Sequence, residues 1–212
     1  MKCLPNTRIH QRAALIMAFL YTAITIAPVH SYTVQFKEQF YKLYHVHYNQ
    51  YPDDVMENIY WLERALEADF ANPLYAMGKI ATPKDWEKYR YLFMMHINLK
   101  LTEQHLRLGS KWDKQRAYFY NAPWKAQNLD SLHTAKTCYN TALVYWNEAK
   151  QWAEKANIRE FRFLFLTDLQ AWEDEREGIA NGRYNYGRTI ERNLARLERV
   201  YNDFLAMDEN TY

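Results

Sequence analysis

From Val55 to Ala68 apolar side chains return at Val55, Ile59, Leu62 and Leu66, and Trp61, Ala65 and Ala68 widen the stripe. That spacing is the signature of a helix packed on two sides. Upstream, Thr33 to Gln50 reads as a first helix, ended by Tyr51-Pro52-Asp53-Asp54, whose aspartates can cap the next. Asn72-Pro73 restarts the chain as a short helix to about Ile80. Thr82-Pro83-Lys84-Asp85 is a strong start signal, with a capping threonine, proline in the first turn and an acid near the N-terminus. The helix that follows is predicted over Pro83 to Leu108. Leu92, Phe93, Met94, Met95, Ile97, Leu99 and Leu101 make its middle apolar nearly all round, as in a central buried helix.

Gly109-Ser110 predicts a break, then a shorter helix through Trp112 to Tyr120 that ends at Asn121-Ala122-Pro123. Leu129 to Ala156 and Ile158 to Glu177 read as the next two, although Phe161 to Leu166 has strand-like composition. A terminal helix, about Tyr186 to Ala206, keeps Ile190, Leu194, Leu197, Tyr201 and Phe204 on one face. Only five glycines punctuate the chain, three of them within ten residues. The expectation is an all-α protein, an array or bundle of antiparallel helical hairpins, in a single domain over residues 32–212.

The first thirty-one residues carry a different pattern. Lys2, Arg8 and Arg12 precede an apolar run from Ala13 to Ala27, and Val29-His30-Ser31 offers small residues where a signal peptidase reads. The run falls short of the ~20 residues a spanning helix needs, so residues 1–31 are predicted to be a signal peptide cleaved after Ser31. Export to the periplasm or the extracellular space follows, with no membrane span left in the mature chain. Cleavage removes three basic and no acidic residues from totals of 27 and 25, leaving a near-neutral chain of mixed charge that argues against nucleic acid or an anionic membrane surface as the main partner. Of the two cysteines only Cys138 remains, so no intramolecular disulfide forms, and a lone thiol of this kind is most often buried.

Val55 to Asn72 resembles the second helix and exit turn of a tetratricopeptide repeat. Glu57, Ile59, Trp61 and Leu62 occupy the acid, aliphatic and aromatic places, followed by Arg64-Ala65-Leu66-Glu67, Asp69 and Asn72. Ala65 is the small residue that such repeats place where helices approach closely. Asn147 to Ala156 is a weaker echo, with Ala149, Trp152 and Ala156 at matching spacing. The repeat's first-helix signature and its ~34-residue period are not kept. What the resemblance implies is a helical-hairpin scaffold that holds other proteins. Exported proteins of this look include envelope assembly factors and periplasmic flagellar-collar components.

Catalytic signatures are missing. His45 and His47, two apart on a helix, point to roughly opposite faces. His96 and Glu103 share a face but stand about 10 Å apart along the axis, and no H-E-x-x-H or E-x-x-H motif occurs. Glu173, Asp174, Glu175 and Glu177 around Arg176 read as a solvated helix end, without the turn of a calcium loop. No nucleophile elbow, Walker loop or dinucleotide fingerprint is present. No catalytic residue, metal site or cofactor is therefore expected.

Aromatic content is the unusual feature: seven tryptophans and eighteen tyrosines, of which only Tyr21 lies in the leader. Such side chains dominate binding hot spots. Two stretches are predicted to meet a partner: "YFYNAPWK", with Tyr118, Tyr120 and Trp124, and the glycine-rich loop with Arg183, Tyr184, Tyr186 and Arg188. The expected function is a non-enzymatic exported scaffold that docks another envelope protein. The alternative is a cell-wall glycan-binding or glycan-cleaving protein, with aromatics stacking on sugars and a distant carboxylate pair.

Overall fold

The computed structural model describes residues 33–117 and 122–211, and residues 34–212 form one compact unit. Six α-helices lie in the described residues: α1 (Lys37–Gln50), α2 (Val55–Glu67), α3 (Pro83–Trp112), α4 (Ala122–Ala156), α5 (Gln170–Ala180) and α6 (Tyr186–Ala206). The protein is all-α. Its one β-type contact among the described residues is an isolated bridge between Phe36 and Asp69. The leader predicted at residues 1–31 lies outside the described residues.

Helix starts follow the local chemistry. Asp54 accepts the Glu57 N–H at 3.2 Å to cap α2. Thr82 accepts the Asp85 N–H at 3.1 Å while Asp85 accepts the Thr82 N–H at 2.8 Å, a reciprocal box that fixes the start of α3 with Pro83 in its first turn. The exit of α2 is closed differently. Lys37, buried at the start of α1, donates its ammonium to the carbonyl oxygens of Ala65 (3.1 Å) and Leu66, which have no partner inside their own helix. Burial lowers the Lys37 pKa, with the charges of Asp69 and Glu38 opposing the shift.

Three predicted boundaries are corrected. Gly109-Ser110 does not break the chain, because α3 runs on to Trp112. A Cβ on Gly109 would stand 2.5 Å from Cε1 of Tyr139, so this glycine makes room for a ring on α4 instead of ending a helix. Asp113 to Ala117 is not helical, and Tyr118 to Asn121 lie outside the described residues. Ala122-Pro123 begins α4 seven residues before the predicted start, a place proline favours.

The predicted helix Ile158–Glu177 is interrupted. Two 3-10 turns, Arg159–Phe161 and Thr167–Leu169, precede α5. Between α4 and α5, Phe161, Leu166 and Leu169 are buried while Phe163 and Phe165 are exposed, and Lys88 holds the Leu164 carbonyl at 2.5 Å. The short helix predicted to Ile80 is a single 3-10 turn, Pro73–Tyr75, capped by Asn72.

Two hydrophobic clusters fill the compact unit. The first joins α1, α2 and the N-terminal half of α3 with Leu166, Leu169 and Trp172; the second joins Leu99 to α4 and α6. Tyr91 meets Trp152, His105 meets Tyr145 and Gly109 meets Tyr139, an order that makes α3 and α4 antiparallel. Along α4 the buried positions Leu132, Ala135, Tyr139, Ala142, Trp146, Ala149, Ala153 and Ala156 keep strict three-four spacing. This is a heptad seam with alanine at every second site. Cys138 is buried beside it, and burial raises its pKa.

Candidate functional site

The α5–α6 turn is built around close approaches. Gly182 takes φ +74°, a left-handed conformation that L side chains adopt at a cost. The Tyr184 N–H donates to the Gly178 carbonyl at 2.9 Å, and its ring covers Gly178 so closely that a Cβ there would stand 2.5 Å from Cδ2. Asn185 accepts the Arg188 N–H at 3.0 Å and caps α6. One residue into that helix, Gly187 admits the indole of Trp146, whose Nε1 would lie 3.0 Å from a Cβ at that position.

These contacts leave an open groove of about 650 Å³ between α4 and the turn. Trp146 and Tyr184 contribute the aromatic surface, and Asn147, Lys150, Asn185, Arg188 and Glu191 contribute polar groups. Among the described residues none of Lys150, Arg188 and Glu191 has an ion-pair partner, and Lys150 rests over the Trp146 ring at 6.0 Å from its centroid. An aromatic floor rimmed by unpaired charges can hold a partly polar ligand edge by stacking and charge-assisted hydrogen bonds.

The predicted binding residues separate here. Tyr184 and Arg188 line the groove. Tyr186 instead packs edge-on against Trp146, with centroids 5.5 Å apart, and donates its hydroxyl to Glu103 at 2.9 Å, so it is a structural residue. Burial and that carboxylate push its phenol pKa up. Arg183 is exposed but outside the lining. Trp124 is exposed on the first turn of α4, away from the groove residues, and Tyr118 and Tyr120 lie outside the described residues. Trp146, Asn147 and Lys150 were missed, because only the close approach of α4 to Gly187 brings them beside the loop.

The acidic cluster of α5 is also corrected: half of it faces inward. Glu173 pairs with buried Lys88 at 2.5 Å and with Arg176 at 3.1 Å. Glu175 meets His96 at 2.5 Å and Lys100 at 3.2 Å. Burial pushes the Glu175 carboxyl up, but hydrogen bonds and charge from His96 and Lys100 outweigh it and hold the pKa below its ordinary value. With Glu175 an acceptor, His96 donates from Nδ1, and Nε2 accepts the Tyr41 hydroxyl at 2.8 Å. Burial pushes Tyr41 up to about 12. The Tyr41–His96–Glu175 chain, with Trp172 stacked on the imidazole at 4.9 Å, thus ties α1, α3 and α5 together through buried hydrogen bonds. No group of three or more His, Cys, Asp or Glu that could hold a metal occurs among the described residues.

Fold and site together define an all-α, aromatic-rich helical protein with one groove where a loop predicted to bind meets a long helix. The chain belongs to a family described as a domain of unknown function (DUF8513), whose family model matches residues 84–207. That span holds α3 to α6 and the whole groove, whereas the tetratricopeptide-like stretch Val55 to Asn72 precedes it. No curated protein and no solved structure matches the chain.

Proposed function

We propose that the protein is an exported, non-enzymatic helical scaffold that docks another envelope protein in the groove between α4 and the α5–α6 turn. In a double-membrane bacterium its place is the periplasm. The observation that carries this reading is the groove's lining: Tyr184 exposed beside the edge of the buried Trp146, among the unpaired charges of Lys150, Arg188 and Glu191. That mixture of aromatic anchor and charged rim is what protein-binding hot spots use. The α1–α2 hairpin, 14 and 13 residues long with Ala65 fully buried, has the dimensions and the small contact residue of a tetratricopeptide-like unit, which supports the scaffold assignment.

Chemical crosslinking in intact cells, followed by purification of the tagged protein, tests it. The expected result is a stoichiometric envelope partner whose crosslinks map to residues 143–150 and 182–191, lost when Lys150→Glu and Arg188→Glu are combined. Recovery of the protein alone would overturn the reading. Retention of that lone protein on wall glycan would assign the groove to sugar rings instead.

A further inference from the structure

Trp146 is only 4% exposed, yet its indole N–H donates to no acceptor among the described residues. An indole nitrogen can only donate, so a buried one left without an acceptor costs stability unless something outside the chain supplies it. Nε1 would stand 3.0 Å from a Cβ at position 187, and Trp146 and Gly187 both line the groove, so this nitrogen opens on space a ligand can reach. It is not sealed in the core, as both nitrogens of His105 are.

The same place is the N-terminus of α6, a helix of 21 residues. The first N–H groups of a helix have no acceptor inside it. Asn185 takes the Arg188 N–H at 3.0 Å, while those of Tyr186 and Gly187 have no acceptor among the described residues. Without a Cβ at position 187 the backbone there can be approached closely. Side-chain charge in the lining decides little by itself, since Lys150 and Arg188 stand against Glu191. The uncharged donors tip the balance: an indole N–H, unsatisfied helix N–H groups and the positive end of the helix dipole all favour an anionic acceptor.

We propose that the groove takes a carboxylate, the side chain of an aspartate or glutamate carried by the docked partner. The inference rests on the reading of this groove as a docking site and names the chemistry it recognises. One carboxylate oxygen accepts from Trp146 Nε1 and the Gly187 N–H, and the other meets the charge of Arg188 or Lys150. Tyr184 covers the adjoining apolar surface of the same segment. The groove is open, so a side chain on a passing segment suits it better than a chain terminus.

All seven tryptophans follow the leader, so six other indole signals serve as controls in a nitrogen-15 proton correlation spectrum, with the Trp146 signal assigned by Trp146→Phe. The labelled protein is titrated with acetyl-Ala-Glu-Ala amide, with its glutamine counterpart, with acetyl-Ala-Gln-Ala bearing a free C-terminus, and with inorganic phosphate. The expected result is a downfield shift of the Trp146 indole proton with the glutamate peptide alone. Arg188→Gln should weaken that binding about tenfold and Glu191→Gln should tighten it, with the other indole signals unmoved in both variants. No shift with the glutamate peptide, an equal shift with the glutamine peptide or phosphate, a response confined to the free terminus, or an affinity unchanged by Glu191→Gln would overturn the proposal. The two readings fail separately. An envelope partner crosslinked to the groove whose retention ignores Arg188→Gln removes the carboxylate and keeps the scaffold, whereas an indole response in a chain that brings down no partner keeps the carboxylate site and removes the scaffold.

Discussion

His105 sits on α3 with both ring nitrogens buried and without a hydrogen-bond partner among the described residues, its imidazole stacked on Tyr145 at 5.4 Å between centroids. Burial lowers its pKa from 6.5 to about 4. A base whose pKa is depressed in the folded state takes up its proton more readily when unfolded. The stability it contributes is therefore complete above about pH 6.5 and is lost as pH falls toward 4. At about 1.36 kcal/mol per pKa unit the whole loss is about 3 kcal/mol, of which about 2 falls between pH 7 and 4.5 once residual solvent access is allowed for.

His105→Phe preserves a ring against Tyr145 and removes the titration. Urea unfolding of both proteins at several values between pH 7.5 and 4.5 isolates this group, because the remaining histidines are common to both. The variant should match or exceed the parent at pH 7, since two unpaired buried nitrogens are gone. Its advantage should widen by about 2 kcal/mol by pH 4.5. Parallel stability curves, offset by a constant amount, would refute a buried neutral imidazole at this position.

Gly109→Ala should destabilise the protein by about 1–3 kcal/mol in denaturant unfolding, because the clash with Tyr139 outweighs the better helix propensity of alanine. Lys88→Met alone should cost about 2–3 kcal/mol by leaving buried Glu173 with Arg176 as its one cation, and adding Glu173→Gln should recover part of it in a double-mutant cycle. Gly182→Ala should cost about 1 kcal/mol in thermal unfolding and perturb the Tyr184 environment seen by fluorescence, since φ +74° disfavours a side chain.

Patterns that depend on neighbours in sequence were legible in advance. The caps at Asp54 and Thr82, the stripe of α2, the buried middle of α3 and the face of α6 all stand where periodicity places them. What escaped depends on neighbours in space. Gly109 carries the composition of a break, yet its function is set by Tyr139, thirty residues on. Glu173 and Glu175 look like solvent-facing acids until α3 supplies Lys88, His96 and Lys100. The groove was half visible for the same reason: Tyr184 and Arg188 lie in a loop rich in glycine, whereas Trp146 reads only as a core residue of α4.

The alanines at 135, 142, 149 and 156 create an ambiguity that the fold has to resolve. Small side chains repeated every seventh residue look alike to a facing surface, so α4 displaced by one repeat, about 10 Å, would present much the same profile. Two aromatic side chains remove that degeneracy. Tyr139 fits over Gly109 on α3 and Trp146 fits against Gly187 on α6, and these pairings lie on different partners. Since residues 139 and 146 are themselves seven apart, a shift of one repeat seats one ring at the other's glycine and carries the second ring to the place of Leu132 or Ala153. The two glycines thus behave as keyholes that admit the long helix in a single position, and the second of them also forms a wall of the groove.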